Sequence, residues 1–211
     1  MGSQKFVYTF GARTAEGNKS MRILLGGKGA ILAEMNRIGL PVPPGFTIST
    51  EACNAYYKDG KQPTLNLLKD QVMHGIETIE NIADKTFGSE SKPLLLSVRS
   101  GARSSMPGMM DTVLNLGLND KIVEAWAKAT GNERLAWDSY RRFCQIYGSV
   151  VLGLKPIFQD EVDPFEQIID EVKEARNVTL DNDLTISDLK ELVVRFKARI
   201  HERTGKDIPD D

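Results

Sequence analysis

A five-residue apolar run, Leu94-Leu95-Leu96-Ser97-Val98, ends on Arg99 and opens into a loop of small residues, Ser100-Gly101-Ala102-Arg103-Ser104-Ser105. The run has the length and apolar character of a buried strand. It therefore implies a sheet-based lobe in this part of the chain. It also delivers a cation to the strand's end, where partial loss of water makes a nearby anion necessary. On the residues alone two partners stay open. One is an internal salt bridge to an Asp or Glu. The other is a bound phosphate, for which the guanidinium supplies a forked charge and the loop amides supply neutral donors.

The patterning on either side divides the chain. Phe6, Tyr8 and Phe10 alternate over 5–10 and predict a strand, and 11–18 is polar and reads as a loop. Ile31, Leu32, Met35 and Ile38 recur at helical spacing up to Gly39, a helix stop. Pro41, Pro43 and Pro44 predict an extended crossing before a strand over 45–49, and Thr50 is expected to cap a short helix ending at Gly60. Leu65, Leu68, Val72, Ile76, Ile79 and Ala83 predict a long amphipathic helix closed by Gly88.

Beyond Asn119 only helical patterns remain. Ile122, Val123 and Trp126 begin one helix, and a second runs from Leu135 past Tyr147. Pro164 opens a third, with Phe165, Ile168, Ile169 and Val172 on its inner face. Thr185 and Asp188 form a capping pair before the last, whose stripe is Leu189, Leu192, Val193, Phe196 and Ile200. The expected fold class is α+β: an α/β lobe over 1–118, two- or three-layered, followed by a helical subdomain over 119–211. The segment 205–211 closes no element, and the chain is expected to be the front piece of a longer polypeptide.

A net charge of -2, with basic residues dispersed, gives no reason to expect nucleic acid. Cys53 and Cys144 lack metal-ligand spacing and read as small, partly buried thiols, with a disulfide left open. No apolar stretch can cross a bilayer and no signal or transit segment is visible, so the expectation is a cytoplasmic chain without a membrane partner.

Lys28 lies between Gly27 and Gly29 at the head of a predicted helix, where helix N–H groups and dipole favour anions. It does not fit the P-loop pattern. A solvated lysine in a tight turn and a phosphate ligand both remain open. His74 and His201 read as surface or boundary residues on long helices.

Taken together, Leu24-Leu25-Gly26-Gly27-Lys28-Gly29-Ala30, Leu40-Pro41-Val42-Pro43-Pro44-Gly45-Phe46, the whole of 93–120 and Asp138-Ser139-Tyr140-Arg141-Arg142-Phe143 resemble the nucleotide-binding part of the pyruvate, phosphate dikinase family. The motifs stand in that family's order and span most of the chain. Phosphoenolpyruvate synthases share the Gly-Gly-Lys, Val-Pro-Pro-Gly-Phe and Val-Arg-Ser elements. They carry a different loop where this chain has Ser105-Met106-Pro107-Gly108-Met109-Met110-Asp111-Thr112.

The resemblance implies that Lys28 and Arg99 are the catalytic and triphosphate-binding cations. It also implies that Gly108, Met109, Met110, Asp111 and Thr112 form a loop over the phosphates, with the backbone N–H groups and the Thr112 hydroxyl as donors. Asp111 alone gives too few ligands for a metal site. Arg103 is at most an auxiliary phosphate contact, and Arg141 and Arg142 are expected to pack and form salt bridges. The implied architecture is the first lobe of an ATP-grasp-like domain using ATP and Mg2+, with the magnesium ligands mainly outside these residues. The implied activity interconverts ATP, phosphate and pyruvate with AMP, diphosphate and phosphoenolpyruvate, through a phosphohistidine on a domain absent here. The implied partners are ATP or AMP, phosphate and the remaining domains of the same polypeptide, in a homodimeric parent enzyme. The chain by itself is expected to be inactive. Two alternatives are a phosphoenolpyruvate synthase-like phosphotransferase and a standalone interaction module built on 119–211.

Overall fold

The alternating Phe6, Tyr8 and Phe10 produce β1 (Val7–Gly11), the middle strand of a three-stranded antiparallel sheet ordered β2-β1-β3. In the computed structural model, which describes residues 4–101, 112–158 and 161–210, β2 is Thr14–Ala15 and β3 is Gly45–Ile48. β2 returns beside β1 through a turn with positive φ at both Ala12 (49°) and Arg13 (66°), a hairpin geometry usually marked by Gly or Asn. Gly45 faces Phe10, and a Cβ there would meet the ring at 2.6 Å, so the glycine lets the aromatic side chain lie on β3.

Helix α1 (Arg22–Arg37) lies against this sheet through Leu25, Gly29, Ala30 and Ala33. The expected stripe is displaced: Ile31 and Ile38 are exposed. The reason is close approach, since a Cβ on Gly29 would meet Thr47 at 2.7 Å, and only a face of small residues fits. α2 (Thr50–Asp59) and α3 (Lys61–Ala83) follow. α3 closes on Asp84 in the left-handed region, four residues before the expected stop at Gly88. Its Gln71 accepts from the Phe6 and Val7 amides at 2.8 and 3.2 Å and donates to the Gln4 carbonyl at 2.9 Å, tying the entry of β1 to the helix.

The second unit begins with β4 (Leu96–Arg99) and β5 (Thr112–Leu116), an antiparallel ribbon. Four helices follow: α4 (Asp120–Thr130), α5 (Glu133–Ile146), α6 (Pro164–Arg176) and α7 (Ile186–Thr204). Their starts are capped by Asn119, Asn132, Asp163 and Thr185, whose side chains accept first-turn amides. α5 runs on into a π turn over Tyr147–Val151. All the inner-face residues expected for α6 and α7 are buried, and the Phe165 and Phe196 rings meet edge to face at 4.9 Å.

By contacts the described residues divide into 4–85 with 100–101, and 86–99 with 112–158 and 161–210. The break does not fall at 118: Val113 and Leu118 join the helical core, and β5 packs on α5. The mixed helix-and-sheet class holds. The named strands pair only antiparallel, and in the first unit α1 and α3 pack against the three-stranded sheet. Cys53 and Cys144 are free thiols, and burial pushes Cys144 up to about 12.

At the start of α7 the Asp188 carboxylate receives Arg176 Nε at 2.6 Å, the Thr185 hydroxyl at 2.7 Å and the Thr185 amide at 2.8 Å. The Arg176 bond first, then the Thr185 bonds, lower its pKa from 3.8 to about 2. A depressed carboxylate contributes stability above its unfolded value and loses it as pH falls through the folded one. Asp188→Asn is therefore expected to cost about 2 kcal/mol at pH 7, combining a cap with a charged hydrogen bond. Denaturant titrations should show that difference shrinking between pH 4 and pH 2. An equal difference at pH 2 and pH 7 would refute the assignment.

Candidate functional site

The glycine-flanked lysine sits at a discontinuity. Gly26 adopts φ 70° and ψ 170° inside α1, so the turn Arg22–Leu25 and the helix that follows are two segments joined at a kink. That dihedral suits glycine. Lys28 thus lies in the first turn after the break, where amides lack a helical partner on their own axis. Its position agrees with the expected helix head, although the helix as a whole starts six residues earlier. The Lys28 side chain is exposed, and Nζ donates to the Ser100 carbonyl at 3.1 Å.

Thr50 does not cap α2 as expected. Ser49 holds the N-cap position without a side-chain bond, and the Thr50 hydroxyl donates to the Ile23 carbonyl at 2.7 Å. Neither this bond nor the Ser100 contact was visible in the sequence, because each joins residues far apart in the chain.

Arg99 and Thr112 are direct register partners across the β4–β5 ribbon. Opposed residues of an antiparallel pair project to the same face, so a cation and a hydroxyl stand side by side at one end of the ribbon. The expectation of a buried strand needs correction. Leu94 is buried, but Val98 is half exposed and Arg99 is exposed, because a two-stranded ribbon has no further layer over its end on either face. Among the described residues no carboxylate pairs with Arg99. Gly108, Met109, Met110, Asp111 and Arg103 lie outside the described residues.

The other candidates have structural partners. Arg141, buried at 4% exposure, gives Nε and Nη2 to Asp138 Oδ1 at 3.0 and 2.8 Å, while Arg142 binds Asp138 Oδ2 at 3.0 Å. His74 and His201 are exposed, the latter 3.0 Å from Asp207. Asp120 joins Tyr140 OH at 2.9 Å and Lys197 Nζ at 2.8 Å. Burial opposes its ionisation, but these two bonds hold its carboxyl below the usual value. A cavity of about 120 Å³ in the second unit is walled mainly by apolar side chains, among them Phe87, Leu118, Ile122 and Phe143, and includes none of the predicted site residues. Among the described residues no three His, Cys, Asp or Glu side chains converge. No helix among them is long and apolar enough to cross a membrane.

A lysine in a broken glycine turn and an arginine–threonine pair at a ribbon end thus stand in a mixed helix-and-sheet fold. Residues 22–83 match the family model described as pyruvate phosphate dikinase, AMP/ATP-binding domain. Over 208 residues the chain is 53% identical to the pyruvate, phosphate dikinase of Clostridium symbiosum, aligning 98% of this chain with 22% of that protein. It is 49% identical over 207 residues to the enzyme of Rhizobium meliloti (strain 1021), 98% against 22%, and 50% identical over 209 residues to the chloroplastic pyruvate, phosphate dikinase 1 of Arabidopsis thaliana, 99% against 21%. The chain matches the amino-terminal AMP/ATP-binding part of pyruvate, phosphate dikinases. It spans about a fifth of the length of these curated relatives.

Proposed function

We propose that this chain is the nucleotide-phosphate-holding portion of a pyruvate, phosphate dikinase, and that Arg99, Thr112 and Lys28 bind the ATP triphosphate. The Arg99–Thr112 register pair carries this reading. It offers a forked cation and a hydroxyl on one face, the combination that phosphate oxygens accept in a directional way. Lys28 adds a mobile point charge beside amides freed by the kink at Gly26. In the same reading the wider architecture is the first lobe of an ATP-grasp-like domain.

The reaction interconverts ATP, phosphate and pyruvate with AMP, diphosphate and phosphoenolpyruvate, by way of a phosphohistidine on another domain of the same polypeptide. The parent enzyme is homodimeric and cytoplasmic in this reading. The role of these residues is positioning and charge stabilisation as the β-phosphoryl group moves, with no covalent intermediate on them. Magnesium, held mainly by residues outside this chain, would neutralise phosphate charge.

Calorimetric titration of ATP with magnesium into the native polypeptide that carries this chain tests the proposal. Saturable binding is expected, competed by AMP and weakened roughly 10-fold or more in Lys28→Ala, the loss of one charged hydrogen bond. ATP binding that is unchanged in Lys28→Ala and Arg99→Ala alike would overturn it.

A further inference from the structure

We propose that Thr50 is a positioning residue for Lys28, acting through the helix turn that the break at Gly26 leaves without support. The inference rests on the phosphate role of Lys28 given above and assigns that site an additional member.

In an unbroken α-helix the Ile23 carbonyl would accept the amide four residues on, that of Gly27. Gly26 leaves helical dihedrals at that step (φ 70°, ψ 170°), so the turn Arg22–Leu25 ends in carbonyls that need donors from elsewhere. The Thr50 hydroxyl provides one for Ile23, at 2.7 Å and from 27 residues away in sequence. A threonine in the first turn of a helix ordinarily satisfies groups of its own helix. Here it reaches across to α1 instead.

The same break is held from its other side. Gly29 lies so close to Thr47 of β3 that a Cβ would stand 2.7 Å from Thr47 Cγ2. Leu25, just ahead of the kink, is buried, and a Cβ on Gly17 would come within 2.4 Å of Leu25 Cδ1. Thr47 and Thr50 flank the end of β3, so one short stretch of chain fixes the turn before Gly26 and the turn after it. Lys28 projects from between these two anchors. Losing the Thr50 bond frees the turn before the kink and lets the direction of the lysine drift, while the packing of Leu25 and Gly29 keeps the fold.

Thr50→Val removes the hydroxyl at nearly constant shape, and Thr50→Ser keeps it. In the native polypeptide carrying this chain, Thr50→Val is expected to weaken magnesium-ATP binding about 5-fold, the scale of one neutral hydrogen bond. Thr50→Ser should restore binding to within about twofold. Thermal midpoints should agree among the three proteins, which separates positioning from loss of folded protein. In a Lys28→Ala background, Thr50→Val should add nothing, because the lysine it orients is gone. If Lys28→Ala itself leaves ATP binding intact, the phosphate reading of Lys28 fails and this inference with it. If Lys28→Ala weakens binding but Thr50→Val does not, or if the two losses simply add, the role of Thr50 fails while the site stands. Failure of Thr50→Ser to rescue would also overturn it.

Discussion

Arg99→Ala is expected to lower kcat/KM for ATP by roughly 10²–10⁴-fold in the native polypeptide, the sum of about two charge-assisted hydrogen bonds to phosphate. The thermal midpoint should move little, because the side chain is exposed at a ribbon end and nothing in the core leans on it. Arg99→Lys should recover only part of the loss, since an ammonium keeps the charge but not the planar fork. Thr112→Val, on the register partner, should be milder and should not add fully to Arg99→Ala, because the two side chains face one ligand. Measured kinetics that leave Arg99→Ala within threefold of the parent would remove this residue from the site.

The largest effect on folding is expected at Gly148, in the π turn after α5. A Cβ there would sit 2.5 Å from Phe165 Cζ and 2.9 Å from Ile200 Cδ1. Both neighbours are fully buried, so neither can swing into solvent. Gly148→Ala should therefore cost about 1–3 kcal/mol by overpacking. In a chain of this size that is a fall in Tm of roughly 3–10 °C. Ile200→Val removes the Cδ1 atom, so the double variant should be more stable than the sum of the single losses predicts. A Tm for Gly148→Ala equal to the parent's would show that the core has slack at this point.

The helical half was the more legible part of the sequence. Phe165, Ile168, Ile169 and Val172, and the stripe from Leu189 to Ile200, recur at helical spacing and are all buried. Pro164, Thr185 and Asp188 marked the starts by local chemistry that needs no distant partner. The front half hid its features because they depend on what lies across from each residue. β2 turns on Ala12 and Arg13, which carry no glycine signal. α1 shows its small side chains to the sheet, so counting large apolar residues selected the wrong face.

The site was legible as residues more than as geometry. Arg99 and Lys28 stood out by charge and flanking glycines, but the register that sets Arg99 beside Thr112 is a pairing between strands. The kink at Gly26 left no trace in periodicity, and a hydroxyl bonding a carbonyl 27 residues back cannot be read from either end alone.

The division of the chain also sets an order of events during its synthesis. β5, the partner of β4, packs on α5, which is made after it, and α7, which closes the core behind α5, emerges about 100 residues after Arg99. At roughly 5–20 residues per second, the β4–β5 ribbon spends several seconds or more on the ribosome without the helical core that β5 joins. Val113 of β5, buried in the finished core, stays uncovered for that time and is a target for holdase chaperones, and translation without pauses downstream of Thr112 would favour correct closure.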